Sequence, residues 1–276
     1  MASSAMLIKT VQGLWIGGSL SKIEQLSIAS FLQNGCDYDL YVYSDVANVP
    51  AGVTIKDAAQ IIPQSEIFTY AHNNRGYSAF ANWFRYELLY QRGGVWVDLD
   101  VVCLRPLTLD EPILFGYENP QWINNAVLRF PKQHHIMRIM AKLAKNPNRW
   151  MPYDSLKTRW MKIKRWVKGN HRGNIRFGET GPKGLTKVLK HYNLTHLACP
   201  THYFYPVHHS STTAFYESGA RFSPDCFENA YTLHLWNDIA RRAGIDKNAT
   251  FAEDTLIEQL KRRYGVLNQV EEYPND

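Results

Sequence analysis

The chain has 276 residues, 45% of them apolar and 20% charged, which excludes disordered, collagen-like and small disulfide-scaffold classes. A chain of this size hides about three-quarters of the surface its unfolded form exposes, enough to build one large domain over residues 1–276 without an external staple. The net charge of +6 favours anionic partners. Cys36, Cys103, Cys199 and Cys226 are widely spaced with no C-x-x-C among them, so they read as reduced, mostly buried thiols. Residues 1–9 lack the basic start and apolar stretch of a signal peptide, and there is no run of about 18 apolar residues. The expectation is a cytoplasmic protein that does not span a membrane.

In chain order, Leu7 to Ile16 reads as a strand ending at Gly17-Gly18. Ser21-x-x-Glu24 predicts a capping box opening a helix with Ile23, Leu26, Ile28 and Leu32 on its apolar face, stopped by Asn34-Gly35. Short β-like runs follow at Asp39 to Tyr43 and Val53 to Lys56. This strand, helix, strand, strand order favours an α/β sheet with parallel pairing. A second helix spans Ser78 to Gln91 and stops at Arg92-Gly93-Gly94. The strand Val95-Trp96-Val97 then leads into Asp98-Leu99-Asp100 and the apolar Val101 to Leu104. Ala126 to Phe130 reads as a strand, His134 to Lys145 and Pro182 to Tyr192 as helices, Tyr231 to Trp236 as a strand, and Glu253 to Tyr264 as a helix.

Asp98-x-Asp100 can place two carboxylates on a hard divalent cation, which neutralises a departing diphosphate. Asp37-Tyr38-Asp39 is a second D-x-D, and its place beside Asn34-Gly35 reads as a turn. The Asp98 pair instead follows a strand, and open α/β sheets bind ligands outside the carboxyl ends of their strands. Flanked by Val95, Trp96, Val97, Leu99, Val101 and Val102, two carboxylates are mutually repulsive and partly desolvated. A metal, Arg85 or Arg105 would relieve them; otherwise the pair is a solvated strand end.

The stretch from Phe84 to Asp100, with Leu104-Arg105-Pro106-Leu107 after it, resembles the DXD sugar-binding region of glycosyltransferase family 32. Leu14-Trp15-Ile16-Gly17-Gly18, Thr180-Gly181-Pro182 and His234-Leu235-Trp236-Asn237 match further blocks in the same order. The resemblance implies a GT-A fold, an α/β Rossmann-like nucleotide-binding architecture with additional helices. It also implies a nucleotide-sugar donor (a UDP-sugar, or a GDP-sugar), a Mn2+ or Mg2+ ion, a saccharide or lipid-linked acceptor, and transfer with retention of configuration.

By the same resemblance, Trp15 stacks on the donor base, Arg85 contacts the donor, Asp98 takes ribose and sugar hydroxyls, and Asp100 ligates the metal with His234. Trp236 and Asn237 close over the diphosphate and sugar, and Thr180-Gly181-Pro182 presents free helix amides to the donor. Asn124 and Asn125 can contact sugar hydroxyls, although Asn is commonest in turns. One position departs from the family: where an Asp often stands three residues before the arginine, this chain has Asn82, an amide that binds a hydroxyl without supplying charge.

Two other readings stay open. The run Val95 to Val102 also fits the D-x-D-x-V opening of haloacid-dehalogenase phosphatases, in which the first Asp is a nucleophile, but no later acidic pair follows. A saccharide- or anionic-surface-binding protein of the same fold would not turn over, and release of nucleotide from a donor separates it from a transferase. His208-His209, as neighbours on a strand, point to opposite faces and read as structural.

Residues 149–172 hold eight basic side chains and the single acid Asp154, leaving the rest of the chain at a net −1. Leu156, Trp160, Ile163 and Val167 form one helical stripe with Lys157, Lys164, Arg165 and Lys168 around it. Such a helix either packs its stripe on the protein's own core or docks reversibly on an anionic membrane, placing the protein at the inner membrane face, or on a lipid-linked, diphosphate-bearing acceptor. No nucleic-acid motif accompanies the patch.

Overall fold

The computed structural model describes residues 7–71, 76–219 and 222–266. Its elements are β1 (Thr10–Trp15), α1 (Lys22–Gln33), β2 (Asp37–Val42), β3 (Val53–Asp57), α2 (Ser78–Arg92), β4 (Gly94–Val97), β5 (Val101–Cys103), β6 (Leu114–Asn119) and β7 (Trp122–Phe130). They continue with α3 (His135–Lys145), α4 (Leu156–Val167), α5 (Pro182–His191), α6 (Thr201–Phe204), β8 (Thr232–His234), α7 (Asn237–Arg242) and α8 (Leu256–Arg263).

The main sheet has the order β3-β2-β1-β4-β7-β6. Strands β3, β2, β1 and β4 are parallel, while β7 runs antiparallel to both its neighbours. The chain first builds outward from β1 to β3, then returns through α2 and lays β4 on the other flank of β1, with Val11 opposite Val95 and Gln12 opposite Trp96. A crevice opens where strand order reverses in this way, at the carboxyl ends of the two central strands. Here those ends are Trp15 and Val97. The architecture is α/β and Rossmann-like, a mostly parallel sheet with added helices.

Each face of the sheet has its own core. Phe80, Phe84 and Leu88 of α2 pack with Met137 and Met140 of α3 and Leu185 and Val188 of α5. Ile28 and Phe31 of α1 pack on Val11, Leu40 and Val95 across the opposite face. Ile23 and Leu26 turn instead toward Leu233, Leu256, Ile257 and Leu260. Helix α1 thus joins the main sheet to the two-stranded sheet of β5 and β8.

Gly93 ends α2 at φ 72°, and its N–H donates to the Leu89 carbonyl at 2.9 Å. A Cβ there would lie 2.5 Å from the Lys132 backbone nitrogen. Glycine is therefore required both by the backbone angle and by the close passage of the chain before α3.

Several expectations are corrected. Asp37-Tyr38-Asp39 is not a turn but the first half of β2, anchored by the fully buried Tyr38. Asn124 and Asn125 are likewise not turn residues; they lie buried within β7. The sequence reading placed no strand at β6, whose Leu-Phe-Gly-Tyr-Glu-Asn is weakly β-prone; pairing with β7, with irregular register, overrides propensity. His208 and His209 sit not on a strand but at the start of a 3-10 turn, with ring centroids 3.9 Å apart. All four cysteines are free; Cys36 and Cys103 are buried and Cys226 is exposed.

Helix α4 leaves most of its stripe outside the core, with Ile163 half-buried. Its one buried side chain is Lys162, and Leu156, Trp160, Trp166 and Val167 are exposed, although full burial of a large apolar side chain is worth about 1.5–3 kcal/mol. Among the described residues, no helix is long and apolar enough to cross a membrane.

Candidate active site

The D-x-D is the hinge between the two sheets. The Asp98 N–H donates to the Ala126 carbonyl of β7 at 2.9 Å, and the Val101 N–H donates to the Asp98 carbonyl at 3.1 Å, closing a tight turn. The chain then leaves the main sheet as β5, whose Val101 pairs with His234 of β8, and the Leu235 N–H donates to the Asp100 carbonyl at 2.7 Å. This pairing brings His234 to the carboxylates.

Asp98 is gripped from the sheet side. Its Oδ1 lies 2.8 Å from Arg85 Nη2 and accepts from Trp96 Nε1 at 2.7 Å. The other arm of Arg85 donates to the Asn125 carbonyl, and the guanidinium carbon lies 5.0 Å from the Trp96 ring centroid. Arg85 thus supplies the counter-charge that the sequence demanded. Arg105 does not: it reaches the Glu228 and Asn229 carbonyls and stacks on Tyr231.

Asp100 is held from the other side. Its Oδ1 lies 3.2 Å from His234 Nε2, and its Oδ2 accepts the Asn237 N–H at 2.9 Å. Burial raises the Asp98 carboxyl above its usual range despite the pull of Arg85. Burial also opposes the charge on Asp100, but His234, the Asn237 N–H and Lys247 together hold its carboxyl below the usual range. Burial disfavours a charged His234, yet Asp100, Asp98 and Glu118 outweigh it and raise the imidazole.

Asp98, Asp100 and His234 each offer one ligand atom, all within 4.8 Å of one another. Two carboxylate oxygens and an imidazole nitrogen form a donor set acceptable to Mn2+, and Mg2+ accepts the oxygens. The His234 Nδ1 is buried without a hydrogen-bond partner, so the ring is oriented by Asp100 and by Trp236, whose ring centroid is 4.0 Å away.

The carboxylates stand between two lobes of one crevice. The first lobe, about 360 Å³, is lined by Trp15, Ile16, Tyr77, Arg241 and Lys247. The Trp15 Nε1 is buried without a partner, and Lys247 Nζ lies 5.4 Å from the ring centroid. The second lobe, about 570 Å³, is lined by Asn82, Glu118, Trp122, Asn124, Asn125 and His209. Arg85, Asp98, Asp100 and Asn237 line both.

An amide network backs the second lobe. Asn125 Nδ2 donates to Asn82 Oδ1 at 2.8 Å and to the Tyr86 hydroxyl at 2.9 Å, which donates to the Thr180 carbonyl at 3.1 Å. A Cβ on Gly181 would come 3.2 Å from Asn82 Nδ2. Thr180 and Gly181 are both buried and lie behind the amides; the lobe itself is lined by Pro182 and Lys183. Trp236 lines the lobe in a left-handed conformation, φ 52°, with Nε1 donating to the Val207 carbonyl at 3.2 Å.

Residues 21–127 match the model of a glycosyltransferase sugar-binding region containing a DXD motif, and residues 168–264 match that of an alpha 1,4-glycosyltransferase conserved region. The first match carries Asn82, Arg85, Asp98, Asp100 and Asn125; the second carries His234, Trp236 and Asn237. This chain is a DXD-motif glycosyltransferase. Among solved structures it is similar to the PaToxG glycosyltransferase, at 14% identity and a TM-score of 0.45 over 94% of this chain and 85% of that one. It is also similar to the UDP-bound glycosyltransferase domain from the YGT toxin, at 10% identity and a TM-score of 0.38 over 96% of this chain and 88% of that one. A search of curated proteins found no matching sequence.

Two carboxylates of this glycosyltransferase escape sequence reasoning. Glu118 lies on β6, where no strand was expected, and accepts from Asn124 Nδ2 at 2.6 Å. Glu24 reads as half of a capping box, and its carboxylate does accept the Ser21 N–H at 2.9 Å. The same buried carboxylate accepts from Asn237 Nδ2 at 3.2 Å and pairs with Lys247. The helix cap therefore anchors two residues of the crevice, a role visible only once α7 is in place.

Proposed function

We propose that this glycosyltransferase moves a sugar from a nucleoside-diphosphate donor, a UDP-sugar before a GDP-sugar, to a hydroxyl of a saccharide or lipid-linked acceptor, with retention of configuration. Residues 1–276 act as one GT-A catalytic domain. The observation that carries the reading is the position of Asp98, Asp100 and Arg85 at the junction of the two lobes, where a donor lying in the first lobe presents its sugar to the second.

In this reading Trp15 offers a flat face to the base, and Lys247 and Arg241 supply positive charge along the diphosphate path. Asp98, fixed by Arg85 and Trp96, is a pre-oriented acceptor for ribose or sugar hydroxyls. Asp100 and His234, with Asp98 beside them, would hold Mn2+ or Mg2+, which when bound supplies positive charge to a departing diphosphate. Asn237, tied to Asp100 and Glu24, fixes the edge of the donor site. Asn82, Asn124 and Asn125 orient sugar hydroxyls in the second lobe, with Thr180 and Gly181 holding the amide network from behind.

The test is to incubate the purified chain with UDP- and GDP-sugars, with Mn2+, with Mg2+ and with chelator, and to measure free nucleotide. Metal-dependent release from one donor class is expected. Tight donor binding with no release under any condition would instead mark a saccharide- or nucleotide-binding protein of the same fold.

A further inference from the structure

We propose that α4 docks this glycosyltransferase on the surface of an anionic phospholipid bilayer. The helix is seated by its charged side. Lys162, 4% exposed, donates to the Arg149 carbonyl at 2.7 Å and to Asp154 at 2.8 Å. Arg165 grips Glu179 through two bonds of 2.7 and 3.1 Å. With these contacts facing inward, Leu156, Trp160 and Val167 of the stripe are turned away from the core, and Ile163 is half-buried. Leu156 is 82% exposed, Trp160 59% and Val167 72%, and Trp166 beside them is 66% exposed. A helix that only covered the core would present the opposite face to water.

The charges around the stripe select the occupant. Of the eight bases in residues 149–172, Lys162, Arg165 and Arg172 are paired with Asp154, Glu179 and Glu66. Arg149, Lys157, Arg159, Lys164 and Lys168 form no ion pair among the described residues. The Arg159 guanidinium lies 5.8 Å from the Trp150 ring centroid, and Lys164 Nζ lies 5.5 Å from that of Trp160. Cations level with exposed indoles match the headgroup depth of a bilayer, where Trp rings settle and long basic side chains reach phosphate. A second copy of this chain would set positive charge against positive charge.

A second observation points to the same ligand. Against α4 lies a cavity of about 280 Å³ lined by Met151, Met161 and Phe177, by Lys157, Lys183 and Lys187, and by Asp154 and Glu179, which are paired with Lys162 and Arg165. It sets apolar side chains beside lysines, a lining that suits a phospholipid. Phe177 and Lys183 also line the second lobe of the active-site crevice, so a docked membrane would adjoin the acceptor side. Helix α4 falls between the two family-matched regions, 21–127 and 168–264, and the family likeness does not extend to it.

The experiment is co-sedimentation of the full chain with vesicles of phosphatidylcholine alone and of an equimolar phosphatidylcholine and phosphatidylglycerol mixture, at low and high salt. Binding to the anionic vesicles, weakened by salt, is expected. Trp160→Ser with Trp166→Ser should lower the affinity by more than about tenfold, and Lys164→Gln with Lys168→Gln should do so by about tenfold or more and flatten the salt dependence. All four side chains are exposed, so circular dichroism and nucleotide release from free donor should be unchanged. Equal binding to neutral and anionic vesicles, no binding by the unaltered chain, or unaltered binding by both variants would overturn the proposal. So would a dimer abolished by the Trp changes in a chain that ignores vesicles. None of these outcomes depends on whether sugar transfer occurs.

Discussion

His234 Nε2 lies 3.2 Å from Asp100 Oδ1, across 134 residues of chain. The contact exists because β5 leaves the main sheet immediately after the D-x-D and pairs antiparallel with β8, setting Val101 opposite His234. The motif therefore does two jobs: it ends the last parallel strand and it turns the chain toward the segment that completes the site.

Asp100→Asn is expected to keep the fold and lose at least about a hundredfold in metal-dependent nucleotide release, the scale seen when one preorganised electrostatic group is removed. The amide still accepts the Asn237 N–H but no longer brings negative charge to the cation site. Full turnover by the variant at saturating Mn2+ would remove Asp100 from the metal site.

Arg85→Leu should cost about 3–5 kcal/mol of stability, because it leaves the Asp98 carboxylate without its buried counter-charge. Arg85→Lys restores charge but not the two-armed reach to Asp98 and the Asn125 carbonyl. Urea unfolding should rank the arginine chain first, lysine second and leucine last.

Gly93→Ala is expected to destabilise by about 1–3 kcal/mol from the backbone angle alone, with a further cost because its Cβ would meet the Lys132 nitrogen. Gly181→Ala meets only the side-chain end of Asn82 at 3.2 Å and should cost less. Thermal melts of the two variants side by side decide the order.

Burial raises the Glu118 carboxyl above its ordinary value, and the Asn124 amide and His234 only partly pull it back. The folded chain therefore holds this proton more tightly than the unfolded one, and the group's stabilising contribution, present below the ordinary value of 4.5, is lost as pH rises through the folded pKa. Glu118→Gln should be more stable than the parent at pH 7, with the gap closing below about pH 4.5. Denaturant unfolding across that range measures it; a gap independent of pH would show that Glu118 is not the titrating group.

Asn82→Asp restores the acidic residue frequent in the family. Its carboxylate can still accept from Asn125 Nδ2, so the network survives, and the added charge three residues before Arg85 should change donor KM more than stability. Asn82→Leu leaves one buried N–H of the Asn125 amide without its acceptor, the other still donating to Tyr86, and should cost about 1–3 kcal/mol. Donor KM and urea midpoints for both variants separate a donor contact from a packing role.

The reach of the sequence follows the range of the forces. The α1 cap at Ser21 and Glu24, the stop at Gly93-Gly94 and the strand, helix, strand, strand opening depend on residues a few positions apart, and all appear in the structure as read. β6 was illegible because pairing with β7 outweighs its weak propensity, and with it went Glu118. Asn124 and Asn125 carry a turn composition, but they lie in a strand because their amides are satisfied by Glu118, Asn82 and Tyr86.

By itself, then, the sequence determined the family, the central carboxylate pair and the local segments, because motif spacing and short-range periodicity are properties of the chain. Only the tertiary structure decided what relieves the Asp98 charge, that the α1 capping glutamate also holds Asn237, and which way α4 faces. Each of these depends on a partner brought from a distant segment: Arg85 across the sheet, Lys247 and Asn237 from the far end, and Glu179 beneath α4. Stripe and charge pattern define the two faces of α4, but the Lys162–Asp154 and Arg165–Glu179 pairs choose the one that meets the protein.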